Sequence, residues 1–155
     1  MQPECWAGLG GLTRLQRLRV GWFQIFTGAQ QSALESSLNS LPQLSELSVY
    51  LWSHRNVECP PLALRLPALR ILSLHSVCLP SLSFLQHSPL LEKLDLAGCV
   101  GMSADDTVHS LQTFAQRLRR LRLYFSVRLS AEQEAALRPP SPLLPALTDF
   151  IHTKP

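Results

Sequence analysis

The chain has 155 residues, with 46% hydrophobic and 16% charged side chains and a formal net charge of +3. That length and hydrophobic content imply one domain with a sizeable core and exclude extended disorder. The mild positive charge does not in itself imply nucleic-acid or membrane binding, and no apolar run reaches the length of a membrane span.

Residues 1–14 carry Trp6, Leu9 and Leu12 at helix-like spacing, but Gly8, Gly10 and Gly11 oppose a stable helix. They read as a partial repeat or a weak cap, with a frayed terminus as the alternative. The opening Met-Gln-Pro-Glu-Cys-Trp lacks the basic-then-apolar order of a secretory leader. A first strand is predicted near 18–20, after which Gly21 and Trp22 turn the chain outward. Thr27 with Gln30 makes a capping-box arrangement for a helix whose apolar face is Ala29, Ala33, Leu34, Leu38 and Leu41. It ends near Asn39 and Ser40, ahead of Pro42.

A second strand covers Glu46–Leu51, centred on 47–49. Its connection, Trp52 to Arg65, has no helical period and reads as irregular. The third strand is Ile71–His75, centred on 72–74. Its short return, Leu79 to Leu85, holds at most one turn of helix. The fourth strand is centred on 94–96. Ser103 then caps a helix with Asp105 and Asp106 in its first turn and Val108, Leu111, Phe114 and Ala115 toward the core. After a fifth strand at 121–123, Ser130 and Gln133 open the last helix. The stiff Arg138-Pro139-Pro140-Ser141-Pro142 ends it. A sixth strand is predicted near 150–152, and no polar capping helix follows.

The strands share one internal spacing. Leu91, Leu94 and Leu96, with Cys99, occupy positions one, four, six and nine of L-x-x-L-x-L-x-x-N/C. Leu15-Leu18-Val20, Leu44-Leu47-Val49, Leu69-Leu72-Leu74 and Leu118-Leu121-Leu123 repeat the first three positions. Leu147-Phe150-His152 is the poorest copy, since His152 takes an aliphatic place. The first positions are 29, 25, 22, 27 and 29 residues apart. That spacing and period resemble a leucine-rich repeat, whose unit buries its leucines only by stacking on copies of itself. The implied fold class is α/β: a leucine-rich-repeat solenoid of about six repeats, 1–155 forming one domain. Its curved parallel sheet would lie on the concave side, with short helices and irregular segments on the convex side.

The run from Leu94 to Ser126 resembles, more narrowly, the cysteine-containing repeats of F-box/LRR proteins. Leu94, Leu96, Gly98 and Cys99 match the strand end of that family's pattern. Met102-Ser103-Ala104-Asp105 approximates its helix start, and Leu111, Phe114, Leu118, Leu121 and Leu123 complete the unit. The other repeats match only the leucine ladder, and no F-box signature stands in the chain. The resemblance implies a binding surface that selects a substrate protein for a ubiquitin ligase. Ribonuclease-inhibitor-type repeats and immune-receptor repeat regions are looser likenesses.

Strand side chains alternate, so positions three, five and seven leave the core face. Position three is Arg17, Glu46, Ile71, Lys93, Arg120 and Asp149. Position five is Arg19, Ser48, Ser73, Asp95, Arg122 and Ile151. Position seven is Gly21, Tyr50, His75, Ala97, Tyr124 and Thr153, with Trp22, Leu51 and Phe125 just beyond. Tyrosine and arginine dominate protein-binding hot spots. The expected protein-binding residues are therefore Arg17, Arg19, Tyr50, His75, Lys93, Asp95, Arg120, Arg122 and Tyr124. The competing reading is a solvated sheet face with half-buried aromatics.

Nucleic-acid binding through Arg117, Arg119, Arg120 and Arg122 is the weaker alternative, because acids interrupt the rows and phosphate tracking needs a continuous basic strip. The five histidines fall at different structural positions. Neither a metal-ligand spacing nor a phosphate-binding glycine loop is present. The expectation is a non-enzymatic scaffold with no cofactor, a protein partner and no membrane partner. A purely structural fragment of a larger repeat protein is the alternative. Cys5, Cys59, Cys78 and Cys99 are scattered without C-x-x-C spacing. That argues against a disulfide framework and for a reducing compartment, the cytoplasm with the nucleus as alternative. Cys99 and Cys78 read as buried structural thiols. The uncovered repeat faces at both ends imply a piece of a longer protein or end-to-end association.

Overall fold

The computed structural model describes residues 8–22, 28–51 and 61–154. Six strands form one parallel sheet: β1 (Arg17–Trp22), β2 (Glu46–Leu51), β3 (Ile71–His75), β4 (Lys93–Ala97), β5 (Arg120–Tyr124) and β6 (Asp149–Thr153). They lie side by side in chain order, without a crossover between non-neighbours. Three α-helices occur among the described residues: α1 (Gly28–Asn39), α2 (Ala104–Phe114) and α3 (Ala131–Leu137). The 3₁₀ turns Leu9–Gly11 and Ser83–His87 complete the regular structure.

The leucine spacing explains the sheet. Positions four and six point to one face, where Leu47, Leu72, Leu94 and Leu121 are fully buried beside Leu74, Leu96 and Leu123. Each such side chain contributes about 2 kcal/mol by leaving water. Position one anchors the entry to each strand. The N–H groups of Leu15, Leu44, Leu69, Leu91, Leu118 and Leu147 each donate to the carbonyl three residues back, at 2.8–3.2 Å. The same tight turn therefore sets the register six times. Leu41, Leu66, Ala115 and Leu144 fill the buried place at the start of that turn. Ser88 stands there in the fourth unit, and its buried hydroxyl has no hydrogen-bond partner.

The connections differ in kind, as their sequences imply. Residues 61–65 are irregular, and the return after β3 is a single 3₁₀ segment. Ser103 caps α2 by accepting from the Asp106 N–H at 3.4 Å. Ser130 and Gln133 form a full capping box on α3, with reciprocal bonds of 2.9 and 3.1 Å. Leu111 and Ala115 are buried behind the sheet, and Val108 and Phe114 pack partly against them. Thr107 is buried as well, because its hydroxyl donates to the Ser103 carbonyl at 2.6 Å.

Two expectations need correction. Gly21 and Trp22 do not leave the sheet. They extend β1 and pair with Tyr50 and Leu51, so ladder pairing with β2 outweighs the local preference of glycine for a turn. At the start the described residues hold only a three-residue 3₁₀ turn, Leu9–Gly11, in keeping with the glycines that oppose a stable helix there. Cys78 is not a free thiol but half of a disulfide whose other cysteine lies outside the described residues. The scattered cysteine spacing carried no sign of it. The cap read at Thr27 also lies outside the described residues. No described helix is long and apolar enough to cross a membrane.

Candidate functional site

The three outward rows exist as ladders of directly paired residues. Arg17, Glu46, Ile71, Lys93, Arg120 and Asp149 are register partners in sequence, as are Arg19, Ser48, Ser73, Asp95, Arg122 and Ile151. Gly21, Tyr50, His75, Ala97, Tyr124 and Thr153 make the third row. Adjacent strands lie about 4.8 Å apart, so neighbours within a row are within side-chain reach. All nine residues singled out from the sequence therefore share one face, and they fall into separate clusters.

At one end Tyr50 and His75 stack with ring centroids 4.4 Å apart and planes 21° apart. The Arg19 guanidinium lies 6.0 Å from the Tyr50 ring centroid, at the limit for a cation–π contact. Arg17 pairs with Glu46 at 3.2 Å; it is largely exposed and so adds little stability. At the other end Arg120 and Arg122 converge on one carboxylate, Asp149, at 2.8 and 3.6 Å. Lys93 and Asp95 lie between the two clusters, and neither forms an ion pair among the described residues. One Asp95 carboxylate oxygen and the Arg122 Nε are buried without hydrogen-bond partners. The face holds five cationic and three acidic side chains, and two of those acids are engaged by its own arginines. Asp149 is the residue whose role was least visible from the sequence, because its charge halves the arginine cluster only once β6 lies beside β5.

The loops leaving the strands form a rim with a repeated conformation. Ser76, Gly98 and Phe125 each follow the last row position by one residue, and their φ angles are +55°, +61° and +50°. Each N–H donates to the last strand carbonyl of the next unit, Ala97, Tyr124 and Thr153, at 2.7–2.9 Å. Glycine adopts this left-handed geometry freely; other residues hold it at about 1–2 kcal/mol.

Below the rim a second polar contact recurs. Cys99 Sγ donates to the Leu74 carbonyl at 3.3 Å, across to the preceding unit. Ser126, in the equivalent place one unit on, has its hydroxyl 3.0 Å from the Leu96 carbonyl and 2.9 Å from that of Tyr124. The same hydroxyl accepts from the Cys99 N–H at 3.2 Å. Burial pushes the Cys99 thiol up to about 11, so it is neutral and unreactive at physiological pH. Its role is structural, as its place in the ladder implied.

His152, the misfit in the ladder, has a buried side chain. Its Nε2 is 3.0 Å from the Val127 carbonyl, and its Nδ1 is 3.3 Å from a carboxylate oxygen of Glu134 on α3. A polar residue thus fills an aliphatic place because the last helix supplies a partner. Arg138, then His152, holds the Glu134 carboxyl below the usual carboxylate range. Among the described residues no group of three or more His, Cys, Asp or Glu side chains is placed to hold a metal ion. The chain matches no protein-family model, no curated protein and no solved structure with which it was compared.

Proposed function

We propose that the chain is a leucine-rich-repeat solenoid without catalytic activity that binds a partner protein on the outward face of its sheet. The observation that carries this reading is the composition and order of the ladders. Six strands in continuous register present Arg19, Tyr50, His75, Arg122 and Tyr124 on one surface. These residue types supply most hot-spot energy in protein interfaces, because they bury large areas while offering directed polar groups. A sheet face with no interfacial task has no need of stacked aromatics and arginines across successive strands. The likeness of the run from Leu94 to Ser126 to F-box/LRR repeats suggests the finer version, in which the bound protein is a substrate for ubiquitin transfer.

The test is a quantitative affinity capture comparing the wild-type chain with Tyr50→Ala/Arg122→Ala/Tyr124→Ala. The variant side chains lie outside the core, so its circular dichroism spectrum and unfolding midpoint stay close to wild type. Capture of the specific partner falls at least tenfold in the variant. An unchanged partner profile refutes the assignment of this face. Purified partner then permits the ubiquitin question to be asked directly: loss of the chain lengthens the partner's lifetime if substrate recognition is the role.

A further inference from the structure

His152 takes a place that the other units give to an aliphatic side chain: Val20, Val49, Leu74, Leu96 and Leu123 are its counterparts in register. Its own side chain is 1% exposed. Both ring nitrogens face acceptors, Nε2 the Val127 carbonyl at 3.0 Å and Nδ1 a Glu134 carboxylate oxygen at 3.3 Å. A neutral imidazole has one N–H and satisfies one of these oxygens. Its other nitrogen then turns a lone pair toward oxygen, out of reach of water. Both contacts are made when both nitrogens carry hydrogen. A protonated Glu134 is the alternative donor. Arg138, then His152, holds that carboxyl below the usual range, so the carboxyl does not supply the hydrogen. Around the ring, α3 contributes Glu134 and Arg138, and the segment after β5 contributes the Val127 carbonyl. Leu123 of β5 is its register partner, and Phe150 of β6 stacks at 6.4 Å. The other charged residues of these segments, Arg128, Glu132 and Lys154, are exposed. Arg120, Arg122 and Asp149 stand on the opposite face of the sheet.

We propose that His152 is a pH-sensitive clamp on the last strand. With hydrogen on both ring nitrogens it ties β6 to α3 and to the segment after β5. Loss of one proton releases the Val127 carbonyl, because the N–H that remains stays with the charged carboxylate, the stronger acceptor. Among the described strands β6 pairs with β5 alone, so it opens more often once this tie is gone. The tie is therefore present on the acid side of the histidine range and lost as pH rises through it. β6 carries Asp149, which engages Arg120 and Arg122. Opening of β6 takes that acid away and leaves both arginines uncompensated on the outward face. The device does not depend on what that face binds.

The experiment follows amide hydrogen exchange, corrected for intrinsic rates, at about pH 5.5 and about pH 8, on either side of the range in which histidines titrate. It compares the wild-type chain with His152→Leu, which restores the aliphatic side chain of the other units, and with Glu134→Gln. The ring nitrogens are read by ¹⁵N chemical shift. In wild type the β6 amides open about fivefold more often at the higher pH, as the loss of one buried hydrogen bond implies, and those of β2 and β3 do not change. Both ring nitrogens carry hydrogen at the lower pH, and Nδ1 keeps it at the higher. Opening of β6 in His152→Leu is the same at both. A carboxamide accepts from the ring or donates to it, so a neutral ring in Glu134→Gln keeps both contacts as the Nε2–H form. The pH difference in β6 opening therefore disappears in that variant too. Glu134→Gln conserves size and polarity, so it carries the test even where His152→Leu does not fold. The proposal is overturned by a single protonated ring nitrogen in wild type at the lower pH, or by equal β6 opening at the two pH values. It is equally overturned if the difference persists in Glu134→Gln or in folded His152→Leu.

Discussion

Replacing Ser126 with alanine tests whether the units are joined by specific polar contacts as well as by leucine packing. Ser126 is 7% exposed and its hydroxyl serves three groups. Alanine removes the acceptor for the Cys99 N–H, and Cys99 is itself only 1% exposed. No water can reach that donor without local opening. A buried donor left unpaired costs about 1–3 kcal/mol. The carbonyls of Leu96 and Tyr124 lose one donor shared between them, and each keeps its place in the sheet, so their part is smaller. The expected total is about 2 kcal/mol, which for a chain of this size lowers the melting temperature by about 4–8 °C. Urea unfolding followed by far-ultraviolet circular dichroism measures it. Ser126→Cys installs the residue found in the equivalent place one unit earlier. It retains a weak S–H donor to the preceding unit, and recovers part of the loss. A fall below about 0.5 kcal/mol in Ser126→Ala, or no difference between the two variants, refutes the argument, because the Cys99 N–H would then have another partner.

Two further predictions concern pH. The Cys99 thiol is raised by burial from its ordinary value of 9.0 to about 11, so the folded state keeps the proton longer than the unfolded chain. Its contribution is fully present below pH 9 and is lost as pH rises toward 11, reaching about 3 kcal/mol. The difference between wild type and Cys99→Ala in alkaline urea titrations isolates it, and parallel curves over that range refute it. Glu134 has the opposite sign. Arg138 and His152 hold its carboxyl below the usual range, so its contribution is present above the ordinary glutamate pKa and lost as pH falls through the folded value. Glu134→Gln flattens the acid limb of the stability curve; an unaltered limb shows that neither the Arg138 nor the His152 contact favours the charged carboxylate.

The strands were legible because one spacing specifies both their register and their buried face. Leu94 could not move by one residue without turning every leucine of β4 outward. The outward rows followed from alternation alone. What could not be read locally depends on contacts between units. Gly21 reads as a turn until Tyr50 pairs with it. Asp149 reads as one charge in a row until β6 brings it against two arginines. The bonded state of Cys78 has no motif that records it. Ser126 resembles any loop serine, although counting 27 residues on from Cys99 lands on it, and that was the available signal. The left-handed geometry of Phe125 had no signal at all, since phenylalanine is a residue that argues against it.

The sequential strand order has a consequence for how the chain folds. Every neighbouring pair closes a loop of 22 to 29 residues. Loop-closure entropy grows only as the logarithm of length, so the longest and shortest of these closures differ by about 0.2 kcal/mol. Topology therefore gives no pair a head start. The order in which strands join is decided by what each interface gains on contact, and the junction between β4 and β5 adds a serine clasp to its leucine ladder.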